Sequence, residues 1–157
     1  MTFDNEINQL INLKHEGFYW DFKCCWHHKK ADLLHDIICM ANNIERHDAY
    51  IVIGVDEDSD FTLCDVGMDA NRKNTQNLVD FLREVRFAGG IRPSVSVKTI
   101  CLNNNDIDVI VVRSDNNTPY YLTEQYNKGD GIVYANNIYS NPRYKHPKDK
   151  KCRYSSC

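Results

Sequence analysis

Glu16, Asp21 and Lys23 fall within eight residues that read EGFYWDFK. The stretch alternates as a strand would, with Phe18, Trp20 and Phe22 on one face and Tyr19, Asp21 and Lys23 on the other. A strand that only fills a core has no use for an acid and a lysine side by side. A second acidic run, DEDSD from Asp56 to Asp60, leaves the end of the apolar stretch Tyr50 to Val55. If the two strands are neighbours, Asp21 converges with one of Asp56, Glu57 or Asp58, and Glu16 lies at the turn into the first strand. Clustered carboxylates supply the hard oxygen ligands that Mg2+ and Mn2+ prefer. Such an ion polarises a phosphodiester and lowers the pKa of a bound water. Lys23 would stabilise charge on the attacked phosphate. The same acid-x-Lys layout occurs in many metal-dependent nucleases. The plainer reading is a solvated acidic turn and a surface ion pair worth roughly 0–1 kcal/mol.

Other chemistries find less support. No G-x-x-x-x-G-K-[ST] loop occurs, so an ATP site of that kind has no basis. No G-x-S-x-G elbow occurs either. His15, His27, His28, His35 and His47 have no evident Ser or Cys nucleophile context. The cluster CCWHH, Cys24 to His28, has ligand types suited to zinc but no second pair of ligands, so zinc is not expected. The seven cysteines are scattered and odd in number, and reduced thiols are expected.

The elements that must position these groups follow from periodicity. Ile7, Leu10 and Ile11 at helical spacing predict a first helix, capped by Thr2 or Asp4 and stopped by Gly17. A second helix is predicted from about Lys30 to Asn43, with Leu34, Ile37, Ile38 and Ala41 as its apolar stripe. AYIVIGV reads as a strand buried on both faces, with Gly54 allowing a bulge or close backbone approach. FTLCDVG is a further short strand candidate. Asn74 caps a third helix from Thr75 to about Phe87. SVSVKTICL and DIDVIVVRS flank NNN and predict a hairpin, and PYYL and GIVYA are strand candidates. The expected fold is a single α+β domain over 1–140, with a mixed, mostly antiparallel sheet and about three helices.

Composition fits that expectation: the 157 residues are 42% hydrophobic and 26% charged, enough for an ordinary core. No run of about 18 apolar residues occurs, so no membrane partner is expected. The N-terminus has no basic leader, which points to the cytoplasm. From Arg143 to the end there are six Lys or Arg and one acid, leaving the body acidic. Residues 141–157 thus form a basic tail, expected to be poorly ordered and suited to nucleic acid. Lys23, Lys29, Lys30, Arg113, Arg143 and Lys145 are the candidate nucleic-acid-binding residues.

The ordered set EGFYWDFK, DLLHDIICMANN, YIVIGVDED, VIVVRSDNNTPYYL and GIVYANN resembles the Schlafen-type AlbA-like domain, a nucleic-acid-binding family. The resemblance covers about 5–140. The family opening is Glu, four residues, then Glu-Phe-Lys. Glu16 matches the first acid, Asp21 stands for the second, and Phe22 and Lys23 follow. Gly54 to Glu57 match the family's Gly-Val-Asp-Asp segment. Asn43 stands where the family has Thr, and its Gly-Gly pair is absent before Tyr50. Schlafen ribonucleases cleave transfer and ribosomal RNA with a three-carboxylate site. The resemblance therefore implies Glu16, Asp21 and either Asp56 or Glu57 as Mg2+ or Mn2+ ligands, with Glu16, Asp21 and Lys23 catalytic. It also implies a homodimer, because active Schlafens pair two such lobes. The readings carried forward are a DNA- or RNA-binding domain acting in transcription or RNA processing, a metal-dependent endoribonuclease acting on structured RNA, and a dimerisation module without catalysis.

Overall fold

The computed structural model describes residues 1–140, and the basic tail falls outside them. A four-stranded sheet runs through the middle. Its strands are β1 (Trp20–Lys23), β2 (Ala49–Ile53), β5 (Val95–Leu102) and β6 (Asn105–Val112), in the spatial order β1-β2-β6-β5. β1 is parallel to β2, and the other two pairings are antiparallel. Two small ribbons flank it: β3 (Val55–Asp56) with β4 (Thr62–Leu63), and β7 (Tyr126–Asn127) with β8 (Ile132–Val133). Three α-helices cover the sheet: α1 (Phe3–Asn12), α2 (Lys30–Ala41) and α3 (Thr75–Arg83). The architecture is α+β, as expected.

Alternation along the strands divides the core into two layers. Ala49, Ile51, Ile53, Ile110 and Val112 pack with α2 and α3. Phe22, Tyr50, Val52, Val109 and Val111 pack with Ile7, Leu10 and Ile11 of α1. β2 is buried along its whole length because both layers close on it. Leu33, Leu34, Ile37 and Ile38 are fully buried, so the α2 stripe does what its spacing predicts. Asn42 and Asn43 close that helix and do more. The Asn42 amide donates to the carbonyls of Tyr120 (2.8 Å) and Tyr139 (2.9 Å) and accepts from the Tyr120 N–H, fastening the C-terminal segment.

Several boundaries differ from the sequence reading. α1 ends at Asn12, before Gly17, because Lys14 turns into the left-handed region (φ 55°). α3 stops at Arg83, although Val85 and Phe87 beyond it are buried. The hairpin turn is the two residues Asn103 and Asn104, both with positive φ, which asparagine tolerates. PYYL is not a strand: Leu122 forms only an isolated bridge to Phe87, and Tyr126–Asn127 is the partner of Ile132–Val133. Cys39 and Cys101 are free thiols, whereas Cys24 is disulfide-bonded, so the expectation of reduced cysteines fails there. No helix among the described residues is long and apolar enough to cross a membrane.

Candidate metal centre

β1 is an edge strand, and the loop before it folds back along its open side. The Gly17 N–H donates to the Trp20 carbonyl (3.1 Å), and Trp20 Nε1–H donates to the His15 carbonyl (2.8 Å). A Cβ at Gly17 would lie 2.2 Å from the Trp20 ring, so only glycine lets the indole close over the loop. This turn sets Glu16 beside the strand, where its Oε1 accepts a long hydrogen bond from the Phe22 N–H (3.4 Å). The edge is thereby covered. Alternation sends Asp21 and Lys23 to the α2 side while Trp20 and Phe22 pack toward α1.

The third acid arrives from the end of β2. Gly54 has φ +115°, and a Cβ there would meet the Cys64 carbonyl oxygen at 2.6 Å and Ile107 Cδ1 at 2.7 Å. The chain bends at this glycine into β3 and then into a short 3-10 turn, Glu57–Ser59. Asp56 caps that turn by accepting from the Asp58 N–H (3.0 Å). Glu57 is the residue delivered inward. One carboxylate oxygen each from Glu16, Asp21 and Glu57 lies within 4.8 Å of the others. Among the described residues this is the one group of three acid, His or Cys side chains arranged to hold an ion. Asp56 and Asp58 are not in it. Two contacts tie the contributing loops together: the exposed Lys14–Asp60 ion pair (2.7 Å) and the Phe22–Phe61 edge-to-face contact (5.6 Å).

Lys23 stands between two acids. Its Nζ is 3.3 Å from Asp21 Oδ2 and 3.4 Å from Asp36 Oδ2 on α2. Burial works to lower the ammonium pKa, but Asp21, Asp36 and Glu16 outweigh it and hold Lys23 well above its ordinary value. Asp36 in turn lies 2.6 Å from His27 Nε2, and the exposed His35 is 3.7 Å away. Burial works to raise the Asp36 pKa, while Lys23 and the hydrogen bonds to His27 and His35 pull it well below the usual carboxylate range. His27 is thus engaged within CCWHH. The pairing of His27 with Asp36 did not stand out in the sequence, since their nine-residue separation matches no motif.

The candidate nucleic-acid contacts do not form one group. Lys29 and Lys30 open α2 and are exposed, with Lys30 Nζ 5.7 Å from the Phe81 ring centre. Lys73 lies over Trp26 (5.8 Å), and burial followed by the Lys30 charge lowers its pKa. Arg113 is elsewhere. Lys23 pairs with Ile53 at one end of β2, whereas Arg113 follows Val112, which pairs with Ala49 at the other end, and it bonds Asp48 (3.2 Å). Four residue steps along β2 separate the two ends, about 13 Å. Arg143 and Lys145 lie outside the described residues. The loop lacking the family's Gly-Gly pair also enters β2 at Ala49, away from the Gly54 bend that delivers Glu57.

The comparisons with known proteins agree with this architecture. Among solved structures, the N-terminal domain of a RecG-related protein from Nitrosomonas europaea superposes with a TM-score of 0.56 at 15% identity, covering 93% of this chain and 95% of that one. That likeness is one of fold. The DIP2311 protein of Corynebacterium diphtheriae matches at 15% identity and a TM-score of 0.42, over 84% of this chain and 26% of that one. No curated protein matches. The family model described as Schlafen, AlbA_2 matches residues 16–140, from the first acid of the centre to the end of the described fold, and the chain belongs to that family.

Proposed function

We propose that this domain binds nucleic acid through the phosphate backbone and cleaves structured RNA with a divalent cation held by Glu16, Asp21 and Glu57. The observation that carries this reading is their convergence within 4.8 Å. The donor set fits the ion: three carboxylates, with no thiolate or imidazole among them, suit Mg2+ or Mn2+ rather than zinc. A bound ion would supply a Lewis acid for the phosphodiester and a water of lowered pKa. Asp21 reaches the group despite being one methylene shorter than the glutamate of the family pattern. Lys23, charged at any working pH, is placed to offset negative charge growing on a phosphate oxygen, and losing it would cost about 3–4 kcal/mol of barrier. Family membership and a fold shared with part of a RecG-related protein support a nucleic-acid role. A second copy of the chain would supply the second lobe, and cytoplasmic RNA is the substrate class.

A second reading, binding without cleavage, is favoured by the engagement of Lys23 with two acids at once. One experiment separates the two. Transfer RNA and duplex DNA are incubated with the protein in Mn2+, Mg2+ or chelator, with binding measured in parallel across a salt series. Cleavage of the RNA only with metal, lost in Asp21→Asn while binding persists, supports the first reading. Binding should weaken with a log–log salt slope of about −0.9 per duplex phosphate neutralised. Cleavage that survives Asp21→Asn or chelator overturns the assignment, and binding to neither nucleic acid at low salt overturns both readings.

A further inference from the structure

We propose that Asp36, braced by His27, is the positioning residue of this centre: it receives the Lys23 ammonium when Asp21 takes up a cation. The inference rests on the cation site proposed above.

Asp21 has two partners to serve. Its Oδ2 lies 3.3 Å from Lys23 Nζ, and the same side chain is one of the three that converge. A divalent ion at Asp21 repels an ammonium at that distance. Lys23 therefore competes with the ion for Asp21, as an internal cation would. Asp36 Oδ2 is 3.4 Å from the same Nζ, so the ammonium can shift its weight from one acid to the other with little movement. The Lys23 side chain is 28% exposed, so packing does not enclose it on every side.

Asp36 has a brace that Lys23 lacks. It is carried by α2, whose apolar stripe is fully buried against the sheet. Its Oδ2 is held at 2.6 Å by Nε2 of His27, a ring only 2% exposed. The carboxylate is thus pinned from behind, and it is the lysine that moves. Lys23 then stays beside the centre, charged and clear of the ligand oxygens, instead of blocking the ion or swinging into solvent. Groups that orient or balance metal ligands without touching the ion typically change its affinity by about 10–100-fold when removed.

The test is a double-mutant cycle on the affinity of the full chain for Mn2+, read from the signal of free Mn2+ in electron paramagnetic resonance. Lys23→Met removes the internal competitor and tightens binding. Asp36→Asn leaves Lys23 on Asp21 alone and weakens binding about tenfold. In the Lys23→Met background, Asp36→Asn has less than about a threefold effect, since there is no ammonium left to receive. His27→Gln keeps the Asp36 charge but removes its brace, and it weakens binding in the same direction as Asp36→Asn. Equal weakening by Asp36→Asn with and without Lys23 would show Asp36 acting through its charge alone and would overturn the inference, leaving the cation site standing. Absence of Mn2+ binding by the unmodified chain overturns the cation site and this inference together.

Discussion

Asp108 and Asp21 both sit on the α2 side of the central sheet, and both side chains are 1% exposed. Around Asp108 the charges close. Trp26 Nε1–H donates to it at 2.9 Å, Arg72 donates from Nε at 2.8 Å and Nη2 at 3.0 Å, and the Thr99 hydroxyl donates at 2.6 Å. Burial works to raise the Asp108 pKa, but these bonds bring it below its ordinary value. One carboxylate meets one guanidinium. Around Asp21 the acids gather instead: Glu16 and Glu57 converge on it, and Asp36 shares its lysine. Four acids share the neighbourhood of the Lys23 ammonium, with His35, pushed up to about 10 chiefly by its hydrogen bond to Asp36, beside the fourth. Burial alone therefore does not tell the two acids apart. What separates the two regions is the convergence of further acids on Asp21.

Arg72→Ala would open the closed cluster and should have the largest effect. It strands a buried carboxylate, costing about 3 kcal/mol in denaturant unfolding, with partial exposure of Arg72 keeping the loss at the low end for a broken buried pair. The same variant tests pH dependence. Because the folded pKa of Asp108 is depressed, its contribution is present above the unfolded carboxylate range, about 4, and is lost as pH falls through the lower folded value. Without Arg72 that contribution shrinks, so acid unfolding should begin at higher pH.

Gly54→Ala attacks the delivery of Glu57. The positive φ and the 2.6 Å approach to a backbone oxygen should cost about 2–3 kcal/mol and weaken Mn2+ binding at the same time. In chelator, Glu57→Gln should go the other way and stabilise the fold by about 0.5–1 kcal/mol, because it relieves repulsion among converging acids. A loss of stability there would mean that the Asp21 cluster is closed by contacts like those of Asp108. Lys14→Ala should do least, within about 0.5 kcal/mol in thermal unfolding, since both partners of that ion pair are exposed.

Much of the fold was legible in the sequence because periodicity is a direct imprint of burial. The α2 stripe, the doubly buried β2 and the Asn74 cap all follow from residue type and spacing. β7 was missed because a two-residue strand carries no period. At the centre, Glu16, Asp21 and Lys23 were readable from strand alternation and the family pattern. The choice between Asp56 and Glu57 was not, because the Gly54 bend and the cap on the following turn decide which acid faces inward. The Asp108 network left one overlooked trace: a charged residue inside the apolar run DIDVIVV, which a buried strand tolerates only with partners.

The most direct test of the centre sets Glu57→Gln against Asp56→Asn in thermal unfolding with millimolar Mn2+. Asparagine keeps the capping role of Asp56, so that variant should unfold later with metal just as the unmodified chain does, through the stabilisation that binding confers. Glu57→Gln should show little or no gain from metal. Equal gains in both variants, or a loss confined to Asp56→Asn, would contradict a centre built from Glu16, Asp21 and Glu57.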